Sequence, residues 1–160
     1  MESSQGSHAP RLRGRNLIVL SDGTGNRGGV TRDSNVWRLY QMLDRHHAPR
    51  DQLVRYDDGV GTDDWRVLKM LGGAFGIGLT RYAFLARHYQ PGDRIYFFGF
   101  SRGAFTVRVL AGLLARCGLW TRKAFYGHDD PERFIRETIL PAYRSLSDAK
   151  VMALREKADL

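Results

Sequence analysis

The chain of 160 residues carries one cysteine, Cys117, and a single thiol excludes an internal disulfide framework. Cys117 stands beside Leu113 and Leu114 in an apolar helical pattern, which assigns it to a core rather than to nucleophilic chemistry. Such sparse cysteine fits a reducing compartment. No apolar run approaches the ~18 residues of a membrane span. Residues 1–15 are polar with scattered arginines and lack the apolar stretch of a secretory signal. The chain is therefore expected to be soluble and cytoplasmic as synthesised. Negative charge is also short, with 17 Asp and Glu against 25 Lys and Arg, and the basic excess falls mostly in the second half. A solvated arginine-rich surface accounts for that excess; attraction to an anionic membrane surface is the functional alternative. No nucleic-acid-binding motif accompanies the charge, which argues against a nucleic-acid partner.

Two chemistries are disfavoured by missing residues. There is no G-x-x-x-x-G-K-[ST] loop, and Gly23-Thr24-Gly25 does not open a G-x-G-x-x-G, so a nucleotide-binding module is disfavoured. A phosphatase using Asp22 as an aspartyl nucleophile would need a second Asp two residues before it, where Leu20 stands.

What is present is a pattern of strands, loops and helices. Residues 1–14 are expected to be a disordered lead-in. Asn16-Leu17-Ile18-Val19-Leu20 is a continuous apolar run of strand length, as in a strand covered on both faces. It breaks into the turn formers Ser21-Asp22-Gly23-Thr24-Gly25-Asn26. Ser34 is placed to cap a helix with Val36, Leu39, Tyr40 and Leu43 at helical spacing. Leu53-Val54-Arg55-Tyr56 reads as a second strand, entering the loop Asp57-Asp58-Gly59-Val60-Gly61-Thr62. A glycine-rich stretch, residues 72–78, precedes a helix through Tyr82, Phe84, Leu85 and Tyr89. A third strand, Arg94-Ile95-Tyr96-Phe97-Phe98, runs directly into Gly99-Phe100-Ser101-Arg102-Gly103, and a helix is predicted over about 104–117. Asp130-Pro131 and Ser147-Asp148 open two further helices.

Strands alternating with helices predict parallel pairing in an α/β fold. Ligands of such sheets bind beyond the carboxyl ends of the strands, the edge from which all three glycine-marked loops depart. G-x-S-x-G between a strand and a helix is the pattern of a nucleophile elbow, with Ser101 on a strained turn and Gly99 and Gly103 where side chains would collide with backbone. The helix beyond it directs free N–H groups toward the serine, where they favour developing negative charge. The carboxylates Asp57, Asp58, Asp63 and Asp64 crowd one loop. A divalent cation such as Ca²⁺ would relieve their repulsion, but loop acidity alone accounts for them, and no metal or cofactor is expected.

The four ordered motifs at residues 21–26, 56–62, 72–79 and 99–106 resemble the α/β-hydrolase domain of bacterial type VI secretion phospholipase effectors and their uncharacterised relatives. The resemblance covers residues 15–120 and leaves 121–160 as a helical C-terminal segment. It implies an α/β-hydrolase-like fold and hydrolysis of carboxylic esters, of phospholipids or other lipids, by a Ser-acid-His mechanism. By that analogy Ser101 is the nucleophile, and the Arg102 backbone N–H and an N–H from the Gly23-Thr24 loop form the oxyanion hole. Asp22 would support that loop, with simple Asx-turn stabilisation as the plain alternative. Relatives usually carry a bulky aromatic where Gly25 stands. Export by type VI secretion would need no cleavable signal.

The departure from that pattern lies after the serine. In α/β-hydrolases the acid and the histidine follow the nucleophile, on loops after later strands. Beyond Gly118 the sequence shows helices and no further strand. His128, Asp129 and Asp130 follow Ser101 within one loop, a poor source of acid and base from separate strand ends. His46, His47 and His88 fall upstream on helical segments. The expectation is thus an N-terminal part of the fold that is nearly inactive alone, or a non-catalytic interaction module with the same fold. An unpaired sheet edge and uncovered apolar faces are expected with it, and with them self-association.

Overall fold

The computed structural model describes residues 14–31, 33–43, 51–59, 75–120, 131–139, 141, 148–156 and 158. Three strands, β1 (Asn16–Ser21), β2 (Gln52–Asp57) and β3 (Arg94–Gly99), form a parallel sheet in the order β2-β1-β3. The register places Ser21 beside Asp57 on one side and beside Gly99 on the other. All three strands therefore end level, and the three loops leave from one edge as the sequence predicts.

The continuous apolar run of β1 reflects its central position, since the side chains of both faces are buried. Leu17 and Val19 join Tyr82, Leu85, Leu110, Leu113 and Cys117 from the helices α2 (Phe75–His88) and α3 (Arg102–Cys117). Ile18 and Leu20 face Val36 of α1 (Asn35–Met42), with Tyr40, Val54 and Tyr56 packed alongside. Helices thus cover both faces of a two-sided sheet, the arrangement a parallel sheet requires. The expected cap of α1 is present: Ser34 Oγ accepts from the Trp37 N–H at 3.0 Å. Burial raises the Cys117 thiol pKa, in keeping with a core cysteine.

Two boundaries differ from the sequence reading. Helix α2 begins at Phe75, inside the glycine-rich stretch rather than after it, because a glycine costs a helix only about 1 kcal/mol relative to alanine. Helix α3 begins at Arg102, so the elbow feeds it without an intervening loop. Pro131 opens α4 (Pro131–Phe134), as a proline at the first helical position should, and a π-helical turn (Ile135–Ile139) follows. The last helix, α5, spans Asp148–Arg155. Residues 60–74, 121–130 and 142–147, with the readings made for Gly61, Asp63, Asp64, His128, Asp129, Asp130 and Ser147, lie outside the described residues. His46 and His47 do too.

The amino end of the sheet is locked by Arg15. Its guanidinium meets Asp93 at 2.8 Å and donates to the His88 carbonyl at 2.6 Å, while its backbone carbonyl accepts from the Arg94 N–H at 2.8 Å. Among the described residues no strand pairs with the outer edge of β3. On that strand Tyr96 and Phe98, which point to the α1 side of the sheet, are each 39% exposed.

Candidate active site

Ser101 has φ 53° and ψ −123°, and it is the one non-glycine residue with a left-handed φ among the described residues. Such a backbone costs of order 1–3 kcal/mol and persists only where surrounding contacts hold it. Here they do. The Phe100 N–H donates to the Ser21 carbonyl at 3.1 Å, which ties the turn to the end of β1. The Gly103 N–H donates back to the Phe100 carbonyl at 2.9 Å and closes the turn. Gly103 is pressed against β1 so closely that a Cβ would fall on the Ser21 carbonyl oxygen. A Cβ on Gly99 would lie 2.7 Å from the backbone of Ala104. The G-x-S-x-G spacing is thus a steric requirement of joining β3 to α3 in one tight turn, and it leaves the serine exposed at the carboxyl edge.

The loop after β1 lies against this turn. A Cβ on Gly23 would stand 2.7 Å from the Phe100 ring and 3.1 Å from Ser101 Cβ. Asp22, almost wholly buried, organises the loop. Its Oδ1 accepts from the Gly23 N–H at 2.7 Å and from Asn26 Nδ2 at 3.1 Å. Its Oδ2 accepts from the Tyr56 hydroxyl at 2.9 Å and from Ser34 Oγ. Burial alone would raise the Asp22 pKa, but the hydrogen bonds from Ser34, Gly23, Tyr56 and Asn26 outweigh it and hold the carboxyl below its usual value. Burial, and then the Asp22 carboxylate beside it, push the Tyr56 phenol far above its ordinary range, so Tyr56 stays a donor.

The sign of the Asp22 shift fixes a pH dependence. A carboxyl whose folded pKa is depressed contributes stability that is complete above its unfolded value, near 3.8, and is lost as pH falls through the folded one. Asp22→Asn is expected to lower stability at pH 7 by about 1–3 kcal/mol, because several donors lose a charged acceptor. The gap between variant and wild type should narrow below about pH 4. Denaturant melts at pH 7 and pH 3 read both effects; an equal gap at the two values would show that the charge of Asp22 is irrelevant.

The loop after β2 supports the same edge. The Asp22 N–H donates to the Asp57 carbonyl at 3.0 Å, and the Gly59 N–H donates to the Asn26 carbonyl at 2.9 Å. Asp58 Oδ1 accepts from the Gly28 N–H at 2.9 Å. The Asp57 carboxylate faces two arginines, Arg55 at 3.0 Å and the buried Arg81 at 3.3 Å. Arg81 also donates to Ser21 Oγ at 3.0 Å and so ties α2 to the ends of β1 and β2. Sequence reasoning missed Arg81, the Tyr56 hydroxyl and the second bond of Ser34. Arg81 carried a signal: it stands one turn before Leu85, on the face that carries the helix's apolar side chains.

His88 is the one histidine among the described residues. It ends α2, and its carbonyl accepts from Arg15 at the amino end of the sheet. Strands of this length put roughly 20 Å between that end and Ser101, so His88 cannot be its base. The expected serine, its turn and its neighbouring loop therefore stand together at one edge, and a histidine does not join them among the described residues.

Residues 15–151 match the family described as type VI secretion system phospholipase effector, Tle1-like, catalytic domain. A protein of Saccharomyces cerevisiae described as uncharacterised is 34% identical over 127 residues, which cover 68% of this chain and 18% of that protein. The chain thus spans less than a fifth of the relative's length. No solved structure matches.

Proposed function

The chain belongs to the family of Tle1-like type VI secretion phospholipase effectors, whose catalytic domain it matches over residues 15–151, and on that premise we propose that Ser101 is the nucleophile of a hydrolase acting on carboxylic esters of lipids. The observation that carries this reading is the left-handed Ser101 on the turn between β3 and α3, with the Gly23-Thr24 loop against it. Ser101 Oγ attacks the ester carbonyl, and a base accepts its proton. The tetrahedral oxyanion is held by backbone N–H groups. Its collapse breaks the ester C–O bond, and the leaving alcohol takes the proton from the base. Water then releases the fatty acid from Ser101 by the reverse sequence.

On this reading the acid and the base lie outside this chain, and the whole protein's substrate and partners are part of the same proposal. The excess of Lys and Arg over Asp and Glu supports approach to anionic phospholipid bilayers. No helix among the described residues is long and apolar enough to cross a membrane. Effector membership supports export by type VI secretion. His88, remote from Ser101, favours a second reading, in which this chain alone is a non-catalytic module.

The test is product analysis on phosphatidylglycerol vesicles, with imidazole added as a proton acceptor. Fatty acid and lysolipid that disappear in Ser101→Ala support the hydrolase. Release of the phosphorylated headgroup instead, or no Ser101-dependent product, overturns it.

A further inference from the structure

Resting on the reading of Ser101 as nucleophile, we propose that the Arg102 side chain is a positioning residue that sets the oxyanion hole by holding Thr24, whose N–H is the second backbone donor. The loop offers two N–H groups near the serine, those of Gly23 and Thr24. The Gly23 N–H is already committed to Asp22 Oδ1 at 2.7 Å, a short bond to a charged acceptor. The direction of the next peptide follows from its own carbonyl. The Gly23 oxygen accepts from the Asn26 N–H at 3.0 Å, and it presses on Gly59 so closely that a Cβ there would overlap it. Gly59 belongs to the loop after β2. In a trans peptide the C=O and the following N–H point opposite ways, and no described bond is cis. The Thr24 N–H is therefore turned away from β2. Because β1 lies between β2 and β3, that direction is toward the elbow.

Arg102 sits at the first position of α3, where its own N–H is one of the helix's free donors. Its Nε–H donates to Thr24 Oγ1. One residue thus supplies one donor by its backbone and fixes the other through its side chain. Thr24 needs such a tie. The next residue, Gly25, is exposed, takes φ 75° and would have nothing within 4 Å of a Cβ. Oxyanion donors act only when held within about 0.5 Å of their productive position. Freeing Thr24 should therefore weaken the hole without disturbing the core.

The experiment uses the full chain, a fluorophosphonate probe and imidazole. In the reaction the Ser101 Oγ–P bond forms and the P–F bond breaks. Fluoride leaves, imidazole takes the serine proton, and the phosphoryl oxygen occupies the oxyanion hole. Thr24→Val and Arg102→Met should each slow the maximal rate of Ser101 adduct formation about 10- to 100-fold, a part of what losing a donor outright costs. Half-saturation by probe and melting temperature should not move. Thr24→Ser and Arg102→Lys, which keep an acceptor and a donor, should recover to within about threefold. The double variant should be no slower than the slower single one, because both changes break the same bond. Wild-type reactivity in Thr24→Val, additive effects in the double variant, or a loss that tracks melting temperature and is not recovered by Thr24→Ser would overturn the inference while the nucleophile stands. If wild type forms no adduct, the nucleophile reading fails, and this inference with it.

Discussion

Gly103→Ala should be among the most damaging single-methyl additions that the chain can suffer. The new Cβ would meet the Ser21 carbonyl oxygen, and the Asp22 carbonyl oxygen stands 2.6 Å away on the same side. Both are backbone atoms at the end of the central strand, so no side-chain rotation relieves the clash. Helix α3 must retreat from β1. That retreat opens the contact of Val107 and Leu110 with the core and strips the Phe100 N–H from the Ser21 carbonyl. Overpacking of this kind costs about 3 kcal/mol or more, out of total stabilities of roughly 5–15 kcal/mol. For a chain of this size the melting temperature should fall by roughly 10 °C. Gly25→Ala is the control. Its Cβ has open space, and only the left-handed backbone is strained, at about 1 kcal/mol. Similar melting temperatures for the two variants would show that α3 does not rest on β1 as described.

The second large effect is on rate. No histidine among the described residues reaches Ser101, and with the acid and base proposed to lie outside this chain, hydrolysis of a fluorogenic phospholipid by the chain alone should run about 10⁴- to 10⁶-fold below that of a complete triad. It should be indistinguishable from Ser101→Ala. The reason is geometric, since His88 is fixed at the far end of the sheet by the bond from Arg15 to its carbonyl. Burial, with Arg87 and Arg15 beside it, also lowers the His88 pKa, as befits a partly covered ring packed on Phe84. His88→Ala should therefore leave any residual rate unchanged. Ser101-dependent turnover without added base would contradict this reading and would assign the base to a histidine outside the described residues. His128→Ala is the variant that would identify it.

Much of this was legible in the sequence, and for identifiable reasons. β1 announced itself because a central parallel strand is apolar on both faces, and the Ser34 cap announced α1 because a cap is a local device. The elbow was legible because Gly99 answers to the nearby Ala104 backbone and because Gly103, though it presses on the distant end of β1, stands at a fixed spacing from the serine. What escaped was carried by contacts between distant segments. Arg81 reaches Ser21 across 60 positions of chain, and Tyr56 reaches Asp22 across 34. A tyrosine in a strand reads as β-former and core, and nothing local shows that its hydroxyl serves a carboxylate. The family resemblance implied an oxyanion donor from Gly23 or Thr24, and the proposed choice of Thr24 rests on where one carbonyl points. The start of α2 was misplaced because glycine reads as a breaker, whereas its cost inside a helix is only about 1 kcal/mol.

The proposed reading is that the strained Ser101 is a nucleophile, with neither base nor acid beside it among the described residues. It is tested most directly by treating the chain with a fluorophosphonate, with and without imidazole, and locating the adduct by peptide mass spectrometry. The adduct is predicted on Ser101 and not on the other serines, forming with imidazole and scarcely without it, and absent in Ser101→Ala. Rapid labelling without imidazole would show that the chain holds its own base. Labelling spread over several serines, or none at Ser101 with imidazole present, would show that the elbow is a structural turn and not the site of a nucleophile.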